Sequence, residues 1–163
     1  MKHAFFDQLH IPEPDVDLGV GSGTHAQQTA EIMKRFEPVL DEVHPCAVLV
    51  VGDVNSTIAC ALVAVKKGVP VVHVEAGLRS GDRGMPEEIN RILTDQLSDL
   101  LFLTEDSAKS NLAKEGISGE KVHFVGNVMI DTLLHNLADA IPVTTSLAGM
   151  KLEPEEDFAA VFL

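Results

Sequence analysis

Short apolar runs alternate along this chain with longer segments in which apolar residues recur every three or four positions. The short runs predict buried strands, and the longer segments predict helices that pack on them. From residue 46 onward the predicted elements are strand 46–52, helix 56–67, strand 70–74, helix 87–98, strand 99–103, helix 106–115, strand 121–125 and helix 128–139. Because a helix follows each strand, the strands are expected to be parallel and joined by right-handed crossovers. The pattern therefore predicts an α/β domain with a doubly wound, mainly parallel sheet of the Rossmann-like kind.

The segments on either side of this alternation complete the predicted domain. Residues 1–9 have the pattern of the last turns of a helix, residues 16–20 that of a short strand, and Thr24 is a suitable N-cap for the helix that follows it. Residues 157–163 have the pattern of a strand with no loop or covering helix after it. We therefore expect residues 1–163 to form a single N-terminal domain that is truncated at both ends.

Composition narrows the classes of function. At 163 residues the chain suits one domain, and its 12 Lys and Arg against 25 Asp and Glu give a formal net charge of -13. That charge disfavours nucleic acid and anionic membranes as general partners. The sequence lacks a secretory signal and an apolar run of about 18 residues, so a cytoplasmic location is expected. The cysteines and histidines show no metal-ligand spacing, and no metal site is predicted.

Carboxylates stand where the predicted strands end. Asp53 follows strand 46–52, Glu75 follows strand 70–74, and the pair Glu87 and Glu88 opens the next helix. Open α/β sheets bind ligands in the crevice beyond the carboxyl ends of their strands. The three acids are therefore expected to gather at one edge of the sheet, where they are candidates for general acid and base catalysis. Arg79 and Arg91 are the natural counter-charges for a phosphate.

Each of these features also has a structural interpretation. Asp53 or Asn55 could simply cap the next helix, and Glu75 could form an exposed ion pair with Arg79. Acids in the first turn of a helix are favoured by the helix macrodipole alone. For Gly126-Asn127 a cap is the favoured interpretation, and structural roles are expected for the histidines His25, His73 and His123.

Four motifs taken together resemble the UDP-N-acetylglucosamine 2-epimerase family. They are Val51-Gly-Asp53, His73-Val-Glu-Ala-Gly-Leu-Arg-Ser80, Met85-Pro-Glu-Glu-Ile-Asn-Arg91, and Val125-Gly-Asn127 with Asp131. The resemblance runs through nearly the whole chain and keeps the order and spacing of the motifs. A single motif would be weak, whereas the combination is specific.

The resemblance implies one half of a two-domain enzyme of the glycosyltransferase-B type, with its active site in the cleft between two Rossmann-like halves. The implied reaction inverts C2 of the sugar in UDP-N-acetylglucosamine, through elimination of UDP to a 2-acetamidoglucal and re-addition to the other face. No cofactor is implied. The catalytic groups that the resemblance implies are Asp53, Glu75 and Glu87. The groups expected to bind the substrate are Arg79, Asn90 and Arg91.

The chain departs from the family pattern at both ends. The opening strand with its Gly-Thr-Arg-Pro-Glu loop is not present, and the sequence stops at Leu163, about where a His-Arg motif opens the second half of family members. We therefore expect the second, nucleotide-binding domain to be missing and the isolated chain to have negligible epimerase activity. Loss of the opening strand leaves exposed strand edges, so self-association is expected.

Three other hypotheses remain open at this stage. The chain could be a non-catalytic module that binds a sugar nucleotide or a partner. It could belong to a variant that acts on a UDP-linked diacetamido sugar acid or releases the free sugar by hydrolysis. A glycosyltransferase half would share the architecture but would not explain the joint motif set.

Overall fold

The structure of the chain is a computed structural model that describes residue 6, residues 11–117 and residues 119–149. Its regular elements alternate along the chain. They are α1 (His25–Val43), β1 (Val48–Val51), α2 (Asn55–Lys66), β2 (Val71–Val74), α3 (Pro86–Leu97), β3 (Leu100–Leu103), α4 (Ser107–Lys114), β4 (Val122–Phe124), α5 (Val128–Asn136) and α6 (Val143–Gly149). Two 3₁₀ turns, Gly119–Lys121 and Leu137–Asp139, precede β4 and follow α5.

The four strands form one parallel sheet in the order β1-β2-β3-β4. In one row across the sheet, Val50 of β1 pairs with His73 of β2, which pairs with Leu101 of β3. Since each strand lies beside the next strand in the chain, all carboxyl ends fall on one edge. The parallel α/β sheet predicted from the sequence is confirmed.

Helices α1 to α4 pack on one face of this sheet. Val50 lies in a core cluster with Leu40 of α1 and Ala61 of α2, while Leu101 lies in a second cluster with Leu112 of α4. Because Val50 and Leu101 share a row, both clusters are on the same face. On the opposite face the β1 side chains Leu49 and Val51 are exposed.

Helix α1 begins as its sequence predicts. The Thr24 hydroxyl accepts a hydrogen bond from the Gln27 amide, and the Gln27 side chain accepts one from the Thr24 amide, which forms a capping box. Ile32 and Leu40 supply the buried face of the helix.

The prediction of a strand at 16–20 is wrong. Side-chain contacts occupy its backbone groups, since Arg35 of α1 donates to the carbonyls of Leu18 and Gly19, and Asp17 accepts from the Gly19 amide. Gly19 also has a φ of 60°, which interrupts an extended chain. The predicted strand 157–163 lies outside the described residues, as does the helix predicted at 1–9 apart from Phe6, which is helical.

None of the helices in the described ranges combines the length and the apolar character that crossing a membrane requires.

Candidate active site

Asp53 lies just beyond the carboxyl end of β1 and is held by helix α3. Its carboxylate forms an ion pair with the Arg91 guanidinium, and its carbonyl accepts a hydrogen bond of 2.9 Å from the Asn90 side chain. The alternative that Asp53 or Asn55 caps α2 is not what the structure shows, because Val54 occupies the N-cap without a side-chain cap bond. The two polar residues of α3 thus fix both the backbone and the carboxylate of Asp53.

Glu75 follows β2 in an unusual backbone conformation. Its φ of 69° lies in the left-handed region, which is uncommon for a residue other than glycine and is concentrated at functional sites. One carboxylate oxygen, Oε2, lies 3.4 Å from the point where a Cβ would stand on Gly52. The absence of a side chain at Gly52 therefore leaves room for the Glu75 carboxylate beside the residue that precedes Asp53.

Glu87 and Glu88 open α3, and the structure gives them different environments. Glu88 is 2% exposed and accepts from the amides of Ser80 and Gly81 at 3.0 and 2.9 Å. Burial alone would raise the pKa of Glu88, but these amide bonds and the nearby Arg91 lower it below its ordinary value. Glu87 is half-buried and lies one helical turn before Arg91, the residue that pairs with Asp53.

The guanidinium of Arg79 is occupied by protein groups. It donates to both carboxylate oxygens of Glu115 at 2.7 and 2.6 Å, to Asp95 at 2.7 Å, and to the carbonyl of Leu78. Burial would lower the pKa of Arg79, but the bonds to Glu115 and Asp95 raise it above its ordinary value. In this structure Arg79 is a link between α3 and the end of α4, and its assignment to substrate binding stays a prediction.

A buried polar cluster that the sequence analysis did not predict lies beneath the two strand ends. Asp95 of α3 and His73 of β2 are 1% and 0% exposed, and the Asp95 Oδ1 to His73 Nδ1 distance is 2.7 Å. The other ring nitrogen, Nε2, lies 2.8 Å from the carbonyl oxygen of Gly52. The second Asp95 oxygen accepts from the Gly77 amide at 3.1 Å. The structural role expected for His73 fits this placement.

Spacing on α3 carries the signal that could have identified Asp95. Glu88, Arg91 and Asp95 recur at steps of three and four, which places them on one face of the helix. The structure buries Glu88 and Asp95 of this face and leaves the apolar Ile89 and Leu93 exposed. The polar stripe formed by Glu88, Arg91 and Asp95 is thus the sequence signal for the buried hydrogen-bonded cluster.

Other polar side chains have local roles. Asn55 connects helices α1 and α3, since it contacts His25 and donates to Gln28, and it accepts from Asn90 at 3.4 Å. Asn127 caps α5 through the Met129 amide, as the capping interpretation predicts. Within the described ranges, no three His, Cys, Asp or Glu side chains are grouped so that they could hold a metal ion.

The fold and the site define a parallel α/β domain that presents carboxylates beyond the ends of two neighbouring strands. A family model described as UDP-N-acetylglucosamine 2-epimerase matches residues 1–162. The chain belongs to the UDP-N-acetylglucosamine 2-epimerase family.

Two curated relatives show how similar the chain is to other proteins of this kind. It is 50% identical over 137 residues to the UDP-N-acetylglucosamine 2-epimerase of Methanocaldococcus jannaschii, a match that covers 84% of this chain and 37% of the relative. It is 50% identical over 136 residues to the UDP-2,3-diacetamido-2,3-dideoxy-D-glucuronate 2-epimerase of Pseudomonas aeruginosa, covering 82% of this chain and 38% of that protein. The chain thus spans less than two fifths of the length of either relative.

A solved structure of a family member has the same fold as this chain. The crystal structure of the M. jannaschii UDP-GlcNAc 2-epimerase in complex with UDP-GlcNAc and UDP superposes with a TM-score of 0.86 at 45% identity. The superposition covers 92% of this chain and 42% of that protein.

Proposed function

We propose that this chain is the acid-bearing part of a UDP-N-acetylglucosamine 2-epimerase, with Asp53, Glu75 and Glu87 as its catalytic carboxylates. The observation that carries the proposal is the placement of Glu75, whose carboxylate lies 3.4 Å from where a Gly52 side chain would begin, directly beside the loop of Asp53. This supports the proposal, because both acids then follow the carboxyl ends of two strands that are neighbours in the sheet. Helix α3 adds Glu87 one turn from the Arg91 that pairs with Asp53.

The proposed chemistry needs separately anchored acids. Inversion at C2 removes a weakly acidic proton from one face of the sugar and returns a proton to the other face, so acid and base groups must stand on both sides of the ring. Asp53 is anchored on β1, Glu75 on β2 and Glu87 on α3, so the three carboxylates approach from separate elements. Asn90 and Arg91 are proposed as substrate-binding groups that also hold Asp53 in place.

We further propose that the active protein contains a second, nucleotide-binding domain beyond this N-terminal domain and acts in the cytoplasm on a UDP-sugar. The relatives that match this chain are more than twice as long as the matched region, which covers 37% of the M. jannaschii enzyme. UDP departure needs a group to receive the diphosphate, and Arg79 is already bonded to Asp95 and Glu115. Self-association stays a prediction.

A chimera tests the proposal. The 137 matched residues of the M. jannaschii enzyme are replaced by the corresponding segment of this chain, and the isolated 163-residue chain is assayed beside it. We expect the chimera to convert UDP-N-acetylglucosamine to UDP-N-acetylmannosamine with uptake of one solvent deuterium at C2 in D₂O, and the isolated chain to do neither. An inactive, folded chimera would contradict the proposal.

Substitutions in the chimera test the three acids. Asp53→Asn, Glu75→Gln and Glu87→Gln are each expected to lower kcat by about 10²- to 10⁴-fold, the usual contribution of a general acid or base. Glu37→Gln on the exposed surface of α1 is the matched control and should leave kcat unchanged. Full activity in any of the three acid variants would remove that residue from the catalytic set.

The same chimera distinguishes the two sugar substrates. Because the chain is 50% identical to both the UDP-N-acetylglucosamine enzyme and the UDP-diacetamido-glucuronate enzyme, both sugar nucleotides are assayed in parallel. We propose UDP-N-acetylglucosamine as the substrate, since the family model that spans the chain carries that description. Turnover of only the diacetamido sugar acid would assign the chain to the variant instead.

A further inference from the structure

The two loops that carry Asp53 and Glu75 are tied to a single buried carboxylate. Asp95 of α3 is 1% exposed and uses both of its oxygens. Oδ1 contacts His73 Nδ1 at 2.7 Å, and His73 Nε2 contacts the carbonyl oxygen of Gly52 at 2.8 Å. Oδ2 accepts from the Gly77 amide at 3.1 Å and from Arg79 at 2.7 Å.

Those contacts end next to both proposed catalytic acids. Gly52 directly precedes Asp53, and Gly77 lies two residues after Glu75. Both glycines have positive φ values, 70° and 78°, as does Glu75 itself at 69°. Backbone in the left-handed region persists where surrounding contacts determine it, and here the Asp95 cluster supplies contacts on both loops.

Proton counting shows why a carboxylate is suited to this position. A carbonyl oxygen only accepts, so the contact with Gly52 requires a hydrogen on His73 Nε2. The contact between His73 Nδ1 and Asp95 Oδ1 then requires a second proton, either on the ring nitrogen or on the carboxyl oxygen. Asp95 and His73 therefore share one proton in a fully buried contact, which fixes the ring with Nε2 toward Gly52.

We propose that Asp95 is a positioning residue that sets the separation of the Asp53 and Glu75 carboxylates, acting on one loop through His73 and on the other through the Gly77 amide. This inference rests on the proposed epimerase function and deepens it. Within the described part of the chain, Arg79, held between Asp95 and Glu115, is the other charged side chain that bonds to the Asp95 carboxylate. Displacing reacting groups by about 1 Å costs on the order of 10²-fold in rate, which sets the expected effect of losing Asp95.

Two substitutions at Asp95 separate positioning from simple stability. Asp95→Ala removes both acceptors, whereas Asp95→Asn can accept from Gly77 and Arg79 through its oxygen and donate through its amide to an unprotonated His73 Nδ1. The Asn variant therefore keeps Nε2–H directed at Gly52 with a neutral ring. In the chimera we expect kcat to fall about 10²-fold for Asp95→Ala and less than about tenfold for Asp95→Asn, with KM changed by only a few-fold in both.

The matched control is Asp99→Ala. Asp99 also accepts from a backbone amide of β2, that of Val71 at 3.0 Å, but at the amino end of the strand, away from the acids. It should lower stability without lowering kcat per folded molecule. A kcat loss in Asp95→Ala no larger than in Asp99→Ala, or an Asn variant as impaired as the Ala variant, would overturn the inference.

A second measurement uses the 163-residue chain and does not depend on turnover. Long-range ¹H–¹⁵N NMR, with His73→Gln to assign the signals, reports which ring nitrogens of His73 carry hydrogen. We expect a protonated Nε2 in the unsubstituted chain and in Asp95→Asn, and loss of its protection from solvent exchange in Asp95→Ala. An unchanged Nε2 signal in Asp95→Ala would overturn the inference. An inactive unsubstituted chimera would count against the proposed function, and the NMR comparison would then decide the role of Asp95 alone.

Discussion

Helices α4 and α5 each follow a strand of the same parallel sheet, yet they are buried to very different degrees. In α4, Ala108 and Leu112 are completely buried although most of the helix is polar. In α5, which is the more apolar sequence, no residue is buried, and Leu133 and Leu134 are more than 60% exposed. The composition of a helix therefore does not decide its burial, because burial requires a surface on which the apolar side chains can pack.

Helix α4 is buried against β3 and against the turn that carries Glu75. Gly77 lies against Ala108, and the side chain of Asn111 donates to the Gly77 carbonyl at 3.0 Å. Arg79 reaches from the same turn to Glu115 at the end of α4. The α4 side of the sheet and the candidate active site are therefore one packed unit, whereas α5 contributes none of its apolar side chains to the buried core.

Replacing one leucine by alanine in each helix gives the largest expected difference in the free energy of unfolding. Leu112→Ala removes a fully buried side chain and should lower the free energy of unfolding by about 4 kcal/mol, from lost burial and the cavity left behind. Leu133→Ala, at 63% exposure, should change it by less than about 0.5 kcal/mol. Urea unfolding followed by circular dichroism measures both.

A large loss for Leu133→Ala would break the contrast. It would show that α5 is packed in solution, and a midpoint that rises with protein concentration would identify a second copy of the chain as the covering surface. That outcome would support the self-association expected from the sequence.

Two glycine substitutions, one in the turn after Glu75 and one outside it, test how closely α4 packs on that turn. A Cβ on Gly77 would lie 2.8 Å from the Cβ and 3.0 Å from the carbonyl oxygen of Ala108, so Gly77→Ala should cost about 3 kcal/mol through steric overlap and backbone strain. Gly68→Ala is the control, since Gly68 has a similar φ of 73° but no atom within 4 Å of the added Cβ. It should cost about 1 kcal/mol, from backbone strain alone.

Thermal unfolding of the two glycine variants measures the difference. Equal losses at both positions would mean that α4 shifts to accommodate the methyl group. The close packing of α4 on the Glu75 turn would then not be a constraint on the fold.

Much of the fold could be predicted from the sequence, because the bounds of strands and helices depend on residues that are close together in the chain. Strands β1 to β4 and helices α2 to α4 begin and end within two residues of their predicted bounds. The strand predicted at 16–20 failed because its backbone groups are satisfied by Arg35, a contact that no local pattern encodes. The positions of Asp53 and Glu75 at adjacent strand ends followed from the order of the parallel strands alone.

The polar cluster under the site could not be predicted in the same way. His73 and Asp95 are 22 positions apart, and Arg79 and Glu115 are 36 apart, so each pairing depends on how α3 and α4 are rotated on the sheet. Helical periodicity shows that α3 has a polar and an apolar face but not which face is buried. At α3 the buried positions include two acids, Glu88 and Asp95, which accept hydrogen bonds from backbone amides inside the domain.

Glu88 gives the smallest of the expected effects, and a pH titration reveals it. Because its pKa is lowered in the folded chain, the stability it adds is fully present above the ordinary carboxyl pKa of 4.5 and is lost as the pH falls through the folded value. Glu88→Gln, which cannot accept from the amides of both Ser80 and Gly81, should cost about 1 kcal/mol at pH 7. That difference should shrink as urea midpoints are measured at pH values that fall through the folded pKa of Glu88, because the wild-type carboxyl then takes up a proton.

The matched control for Glu88 is Glu31→Gln on α1. The pKa of Glu31 is also lowered, by a hydrogen bond and ion pair with Lys34, but both side chains are exposed. Salt screens such a pair, so the pH dependence of the Glu31 variant should disappear at high ionic strength while that of the Glu88 variant persists. A Glu88→Gln protein as stable as wild type at pH 7 would show that the loop at Ser80 and Gly81 holds its shape without this carboxylate, and that the buried polar side of the domain is less constrained than its hydrogen bonds imply.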